Sequence, residues 1–184
     1  MIGRIFLLGF LFLMLVLLVF FVVVWYNSFF VSIFLEAPFV PMSKKNLEKM
    51  LKVANFKSGE KVYELGSGDG RFLVEAAKRY GIIGTGFEWI RWLVLLSNFK
   101  AKKSGVSDKV KFKKCDFWRE NLSDADWVVV YLMPKSLDKL KSKLKAELKK
   151  GAKVLSLSFE ISGLNPKFVS GKDKTGSKVL VYEF

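Results

Sequence analysis

The sequence KVYELGSGDGRF, residues 61–72, places a glycine-rich loop between a short apolar run and the start of a helix-like run. Its three glycines, Gly66, Gly68 and Gly70, permit a tight turn and a close approach of the backbone to a ligand. The N–H groups at the start of the following helix favour a negatively charged group. The stretch therefore predicts either a binding loop for a small charged ligand or a plain turn that joins a strand to a helix.

The chain around this loop alternates between short β-prone runs and helix-like stretches. The predicted strands are 61–65, 82–88, 110–114, 127–132 and 153–158, and the predicted helices are 71–80, 89–103 and 136–150. Such alternation is typical of a parallel sheet with helices on both faces. Two further β-prone runs around a Gly/Lys/Asp turn predict a hairpin at the edge of the sheet. We expect one α/β domain over residues 60–184.

The first 36 residues have a different character. No Asp, Glu, Lys or Arg occurs between Ile5 and Leu35, and about 20 apolar residues suffice to cross a bilayer as a helix. We therefore predict a membrane anchor in residues 1–36, with its transmembrane helix over residues 5–26. A cleaved signal peptide is the alternative, although its apolar region is usually shorter. Residues 37–59 are predicted to form a Pro-containing linker and a short helix.

Positive charge is concentrated after the apolar segment. Four lysines lie between residues 44 and 52, whereas only Arg4 precedes the segment. Because the more basic flank of a span usually lies in the cytoplasm, we predict a single-pass membrane protein with its domain on the cytoplasmic side. The formal net charge of the chain is +14, which favours anionic lipid head groups, nucleic acid or acidic protein patches as partners.

Two acidic residues extend the predicted site. Glu88 ends the second predicted strand and Asp116 follows the third, so both belong at the sheet edge that carries the glycine loop. A carboxylate at Glu88 suits the hydroxyls of a ribose, and Asp116 with Phe117 suits an adenine ring. The dinucleotide fingerprint G-x-G-x-x-G is broken because Arg71 stands at its last glycine, and the loop lacks the G-K-[ST] of a Walker motif. NAD is therefore disfavoured.

The motifs YELGSGDGR, GFE and CDFW resemble the first three motifs of the seven-strand S-adenosylmethionine-dependent methyltransferases, over about residues 60–184. The resemblance implies a Rossmann-like sheet and S-adenosyl-L-methionine as cofactor. It implies that Glu64 holds the methionine amino group, that the glycines line the methionine portion, and that Glu88 takes the ribose hydroxyls. The predicted cofactor-binding residues are Glu64, Gly66, Ser67, Gly68, Asp69, Gly70, Glu88, Trp89, Asp116 and Phe117.

A finer resemblance includes PFVPMSKKNLEKML, CDFWRENL and VYLMP. These stretches are similar to the membrane-anchored protein-lysine methyltransferases that include mitochondrial enzymes acting on the adenine nucleotide translocase and the c subunit of ATP synthase. The resemblance implies a protein substrate with an accessible lysine. The chain departs from that family at Glu64, where Asp is commoner, at Trp89, where Asn is usual, and at Met133, which replaces a small residue before Pro134.

The sequence identifies fewer residues for binding the methyl acceptor than for binding the cofactor. Tyr131 and Pro134, after the fourth predicted strand, are candidates for the acceptor pocket, and no catalytic residue is identified. The sequence LMPK differs from the [ND]-P-P-[YF] of enzymes that methylate the adenine amino group. The leading hypothesis is a membrane-tethered methyltransferase that acts on a protein lysine, with contact to the lipid bilayer through residues 5–26 and with neither a metal nor a nucleic-acid partner. Methylation of RNA or of a small molecule, and a non-catalytic cofactor-binding scaffold, are the alternatives.

Overall fold

The computed structural model describes residues 2–34, 39–172 and 176–184, and the chain divides into two compact units. The first unit contains helix α1 (Ile2–Phe34), which continues past the predicted span 5–26. Its segment Phe6–Val24 has a mean hydropathy of 3.3 and is nowhere buried by protein. The helix is therefore long enough and apolar enough to cross a membrane, a test that signal sequences near an N-terminus also pass.

The second unit begins with helix α2 (Lys44–Ala54). The Ser43 side chain caps this helix, because its Oγ accepts a hydrogen bond of 3.2 Å from the backbone N–H of Asn46. The apolar stripe of the helix is buried, as its spacing predicts. Residues 35–38, where the predicted anchor meets the predicted linker, lie outside the described residues.

The remaining elements form a seven-stranded sheet with helices on both faces. The strands are β1 (Lys61–Leu65), β2 (Ile83–Glu88), β3 (Val110–Lys114), β4 (Trp127–Val130), β5 (Lys153–Leu157), β6 (Phe168–Val169) and β7 (Val179–Glu183), and the helices are α3 (Arg71–Tyr80), α4 (Arg91–Lys103), a 3₁₀ turn (Phe117–Arg119) and α5 (Pro134–Glu147). Their order in the sheet is β3-β2-β1-β4-β5-β7-β6. The first five strands are parallel and β7 is antiparallel to both neighbours, which confirms the predicted sheet and its edge hairpin.

Several element boundaries differ from the predicted ones by one to three residues, and two of these lie beside the candidate acceptor residues. Strand β4 ends at Val130 instead of residue 132, and α5 begins at Pro134 instead of residue 136. Proline at the first helical position needs no N–H partner and has a backbone angle suited to a helix, so Pro134 starts α5 early. The three-residue loop between β4 and α5 therefore lies at residues 131–133 instead of the predicted 133–135.

The sheet separates two apolar cores. Helices α2, α3 and α4 pack on one face, where Met50, Phe72 and Val94 are buried, and α5 packs on the other. Because α3 and α4 cross over on one face while α5 crosses on the opposite face, strand order reverses between β1 and β4. Leu65 pairs with both Phe87 and Val130, so the carboxyl ends of β1, β2 and β4 meet at one edge. Sheets of this type bind ligands at that edge.

A polar cavity of about 480 Å³ lies on the α5 face of the sheet. The connection from β3 to β4 contributes only a single 3₁₀ turn, so side chains of β1 to β3 remain open on that face. The cavity is lined by Tyr63, Thr85, Phe87, Lys111, Lys113, Glu120, Asn121, Ser123 and Asp124. None of these residues belongs to the glycine loop, so this cavity is distinct from the candidate site at the strand ends.

Candidate functional site

The glycine loop folds back over the end of β2. The backbone N–H groups of Gly66 and Ser67 both donate to the carbonyl oxygen of Phe87, at 2.9 and 3.1 Å. Gly66, Gly68 and Gly70 have φ angles of 72°, 54° and 72°, in the left-handed region that glycine adopts without a steric penalty. The spacing of the three glycines is therefore required by the path of the backbone.

Ser97 fixes the loop from the side of α4. Its hydroxyl is fully buried and lies 3.0 Å from the carbonyl oxygen of Gly68 and 2.8 Å from that of Leu93. Ser97 is not among the site residues predicted from the sequence. A small polar residue among the apolar residues of a helix is a weak signal for such a contact, because helical serines often bond only to their own helix.

Glu88 lies at the centre of the site. The backbone N–H of Gly68 donates to Glu88 Oε2, and that of Ile90 donates to Oε1, each at 2.9 Å. These two bonds hold the carboxylate in place and leave further lone pairs on each oxygen for hydroxyl donors. The structure thus brings Glu88 against the glycine loop, as the sequence predicts.

Glu64 is a buried acid, and one of its carboxyl oxygens lacks a hydrogen-bond partner among the described residues. Glu64 is only 7% exposed. Neither Oε2 of Glu64 nor Oγ of Ser67 has a hydrogen-bond partner among the described residues. Burial, and then the nearby charges of Asp69 and Glu88, raise the pKa of Glu64 well above its ordinary value. An unpaired buried carboxyl is costly, and a cationic donor that entered here would both satisfy and ionise it. The residue therefore fits an ammonium group.

The pKa of Asp69 is lowered, in contrast to that of Glu64. Its carboxylate accepts bonds from Arg71 Nη2 at 2.7 Å and from Lys100 Nζ at 2.5 Å. Burial opposes ionisation of Asp69, but the hydrogen bonds from these two cations outweigh it and lower its pKa to about 2. Arg71 also donates to the carbonyl oxygen of Met42 at 2.6 Å. Asp69 therefore ties the glycine loop to α4 and, through Arg71, to the segment before α2.

We expect the substitution Asp69→Asn to lower the free energy of unfolding at pH 7 by about 2 kcal/mol, because the folded pKa lies almost two units below that of an unfolded aspartate. Since the folded pKa is lowered, the stabilisation is complete above about pH 4 and is lost as the pH falls towards 2. Urea unfolding of both proteins at several pH values measures the difference. The exposed Asp108→Asn is the control, and a difference that does not depend on pH would contradict the electrostatic explanation.

The other predicted cofactor contacts surround the same edge. The backbone N–H of Cys115 donates to the carbonyl oxygen of Glu88 at 3.0 Å, which places the end of β3 beside that of β2. Asp116 caps the 3₁₀ turn through a 3.1 Å bond from the N–H of Trp118, and Phe117 is half-buried. Trp89 is exposed, with its ring 5.2 Å from Lys114 Nζ.

The candidate acceptor residues follow β4. Tyr131 is half-buried against the core, and Met133 and Pro134 are exposed. A Cβ atom added at Gly66 would lie 3.2 Å from the side chain of Leu132, so the loop after β4 packs against the glycine loop. This places Tyr131 and Pro134 at the edge that carries Glu64 and Glu88, while their role in acceptor binding stays a prediction.

The seven-strand sheet with its antiparallel final hairpin, the glycine loop at the reversal of strand order and the buried acids around it define an S-adenosylmethionine-dependent methyltransferase. A family model described as the ANTKMT methyltransferase domain matches residues 64–168. The chain belongs to this family.

Individual relatives agree with this assignment. The chain is 35% identical to the human lysine N-methyltransferase of the ATP synthase c-subunit, over 73% of this chain and 57% of the human protein. It is 36% identical to a protein-lysine N-methyltransferase of Saccharolobus islandicus (strain REY15A), over 73% of this chain and 84% of that protein. The chain thus spans little more than half the length of the human relative.

A solved structure supports both the fold and the cofactor. The crystal structure of an RNA methyltransferase from Salinibacter ruber in complex with S-adenosyl-L-homocysteine is 33% identical and superimposes with a TM-score of 0.74, over 78% of this chain and 93% of the other. The bound molecule is the demethylated form of S-adenosylmethionine. The cofactor of this chain is therefore S-adenosylmethionine, as the sequence motifs predict.

Proposed function

We propose that this chain is a membrane-tethered protein-lysine N-methyltransferase whose substrate is a membrane protein or a membrane-associated protein. The observation that carries the proposal is that the human and the archaeal relatives, each at least 35% identical, are both lysine N-methyltransferases. The apolar helix α1 supports the tether. The lysines that follow α1 favour a cytoplasmic location for the second unit.

The described residues suit the cofactor. Glu64 would hold its ammonium group, Glu88 its ribose hydroxyls, and Asp116 with Phe117 its adenine, while the backbone of the glycine loop approaches its methionine portion. Ser67, Asp69 and Trp89 complete the proposed set, although the carboxylate of Asp69 already binds Arg71 and Lys100. When bound, the cofactor supplies a methyl group activated by a sulfonium.

The protein contributes mainly placement to this reaction. An acceptor nitrogen must lie about 3 to 3.5 Å from the methyl carbon and in line with the bond that breaks. A lysine, whose unperturbed pKa is about 10.4, must first lose its proton, and burial in an apolar pocket lowers that pKa. The chain has no histidine to act as the base. We therefore propose that desolvation beside Tyr131 and Pro134 lowers the pKa of the acceptor lysine and that its proton passes to water.

RNA is the second candidate substrate. The Salinibacter ruber structure is that of an RNA methyltransferase, and the net charge of +14 suits a polyanion. The lysine proposal is preferred because an N-terminal apolar helix serves an enzyme whose substrate lies at a membrane.

Transfer of labelled methyl groups tests both candidates. The full-length chain, incubated with labelled S-adenosylmethionine and membranes of the source organism, should label a lysine of a membrane-associated protein, identified by mass spectrometry. The variant Glu88→Ala should give no label because it lacks the carboxylate proposed to hold the ribose. Label in RNA would select the second candidate. No label from a chain shown by calorimetry to bind the cofactor would contradict both.

A further inference from the structure

Helix α4 presents apolar side chains on both of its sides. Leu93, Val94 and Ala101 are buried against the sheet. Trp92, Leu95 and Phe99, at spacings of three and four residues, share the opposite side and are 49%, 63% and 63% exposed. These three residues form what we call the α4 outer face. Three large apolar side chains together on a protein surface indicate an interaction site.

The charged residues of α4 itself are all positive. Arg91, Lys102 and Lys103 are exposed on the same helix, and the sequence 91–103 contains no Asp or Glu. Lys100 is directed towards Asp69 instead, through a 2.5 Å contact. Aromatic and leucine side chains flanked by Lys and Arg are typical of helices that lie in the interface of a bilayer with anionic head groups. The long stems of lysine and arginine let the apolar residues enter while the charges stay with the head groups.

We propose that the α4 outer face docks on the surface of an anionic lipid bilayer. The overall charge of +14 agrees with such a partner, and α1 supplies the means of reaching a bilayer. An apolar centre with charged surroundings would also suit an acidic protein surface. We choose the bilayer because the anchor proposed in α1 makes it the anionic surface that this domain meets first. The proposal rests on the proposed membrane anchoring but not on the identity of the methyl acceptor.

Docking would restrict which lysines the enzyme can reach. Helix α4 starts three residues after Glu88, and the N–H of Ile90 just before it is bonded to the Glu88 carboxylate at 2.9 Å. A bilayer against the α4 outer face would therefore lie close to the cofactor edge of the sheet. We infer that acceptor lysines are those near the membrane surface, within reach of a domain held against it.

Site-specific fluorescence tests the docking in the full chain. Cys115 is first replaced by serine, and an environment-sensitive label is then attached at Leu95→Cys or, as the matched control, at Ser142→Cys. Ser142 is exposed on α5, across the sheet from α4. Both proteins are reconstituted into vesicles of phosphatidylcholine with phosphatidylglycerol, with and without nitroxide-labelled lipid as quencher. Leu95 lies outside the core, so its label leaves the fold intact.

We expect the label at position 95 to emit at shorter wavelength in vesicles and to lose most of its intensity to the nitroxide lipid, while the label at position 142 is unaffected. Replacing both Lys102 and Lys103 by glutamine, or omitting phosphatidylglycerol, should reduce the quenching. Equal behaviour of the two positions would overturn the docking. A shift at position 95 without quenching would reveal a contact with protein, such as a second copy of the chain, and would also overturn it.

Flotation of the same vesicles separates this proposal from the proposed anchoring. A chain that floats with the vesicles while position 95 stays in water is anchored but does not dock through α4. A chain that does not float is not anchored, and the docking proposal fails with the anchor.

Discussion

Replacing Gly70 by alanine is expected to lower the free energy of unfolding by roughly 2 to 5 kcal/mol. Gly70 has a φ angle of 72°, which costs a residue with a Cβ atom roughly 1 to 2 kcal/mol. The added Cβ would also lie 2.6 Å from Phe112 Cζ and 2.7 Å from Ser97 Cβ, and overpacking of this kind costs roughly 1 to 3 kcal/mol more. The two costs add because neither relieves the other.

The chain contains a matched control for this prediction. Gly105 has a φ angle of 68°, but nothing lies within 4 Å of a Cβ atom added there. Gly105→Ala should therefore cost only the roughly 1 to 2 kcal/mol of backbone strain. Urea unfolding of the full chain in detergent, followed by tryptophan fluorescence to which the buried Trp127 contributes, measures both variants. Equal losses in the two variants would show that Phe112 and Ser97 yield without cost.

The crowding at Gly70 also bears on function. The residues that touch the added Cβ include Ser97, whose hydroxyl holds the carbonyl oxygen of Gly68. The N–H of Gly68 in turn positions the carboxylate of Glu88. A displaced Ser97 would therefore disturb the proposed ribose contact, and Gly70→Ala should weaken cofactor binding while Gly105→Ala leaves it unchanged.

Glu64→Gln is expected to weaken cofactor binding by roughly 10- to 100-fold, because a hydrogen bond to a charged group contributes about 1.5 to 3 kcal/mol and glutamine cannot ionise. In the native chain without ligand, burial and the nearby acids raise the pKa of Glu64 and so favour its protonated form. Ionising it beside the ammonium group then requires release of a proton. Affinity should therefore rise with pH until the unliganded carboxyl ionises, and the Glu64→Gln variant should lack this dependence.

Glu64→Gln, which should weaken cofactor binding, should nevertheless stabilise the folded chain in the absence of the cofactor. Because the folded pKa of Glu64 is raised, the folded chain retains a proton that the unfolded chain releases above its ordinary value of about 4.5. Native stability therefore decreases as the pH rises above that value, until the buried carboxyl also ionises. Glu64→Gln removes this loss, so the unliganded variant should be more stable than the native chain at pH 8.

Calorimetric titration with S-adenosylmethionine between pH 6 and pH 9, and urea unfolding at pH 8, measure the two effects. Glu183→Gln, at an exposed residue of β7, is the control for the loss of one carboxylate. Undiminished binding by Glu64→Gln would show that another group holds the ammonium.

Spacing along the sequence determined the fold and the location of the site. The alternation of apolar runs predicted β1 to β5, α3 and α5, and the glycines at 66, 68 and 70 predicted the binding loop between β1 and α3. These features depend on neighbours within one or two turns of chain, so they leave a local signal. The loop before Pro134 lies two residues earlier than predicted, because a proline permits a helix to begin but its presence in the sequence does not require the helix to begin there.

Only the tertiary structure decided how the acids of the site are charged. Glu64 and Asp69 are five residues apart, both acidic and both buried, yet the pKa of one is raised and that of the other is lowered to about 2. The difference comes from Lys100, 31 residues further on, and from the orientation of Arg71 towards Asp69. Charge in a protein interior depends on which groups converge in space, and no sequence interval encodes that.

Tertiary structure also decided which apolar side chains of α4 are buried. Apolar residues lie on both sides of this helix, so its sequence pattern does not indicate which side faces the sheet. The sheet covers one side, while Trp92, Leu95 and Phe99 remain exposed. The sequence by itself determined the alternating α/β sheet, its glycine loop and an apolar N-terminal helix, because each follows from local spacing, whereas the methyltransferase assignment came from the resemblance of its motifs to a known family. The tertiary structure alone decided which apolar residues form a core and which form a surface, because burial depends on the elements that pack against a helix.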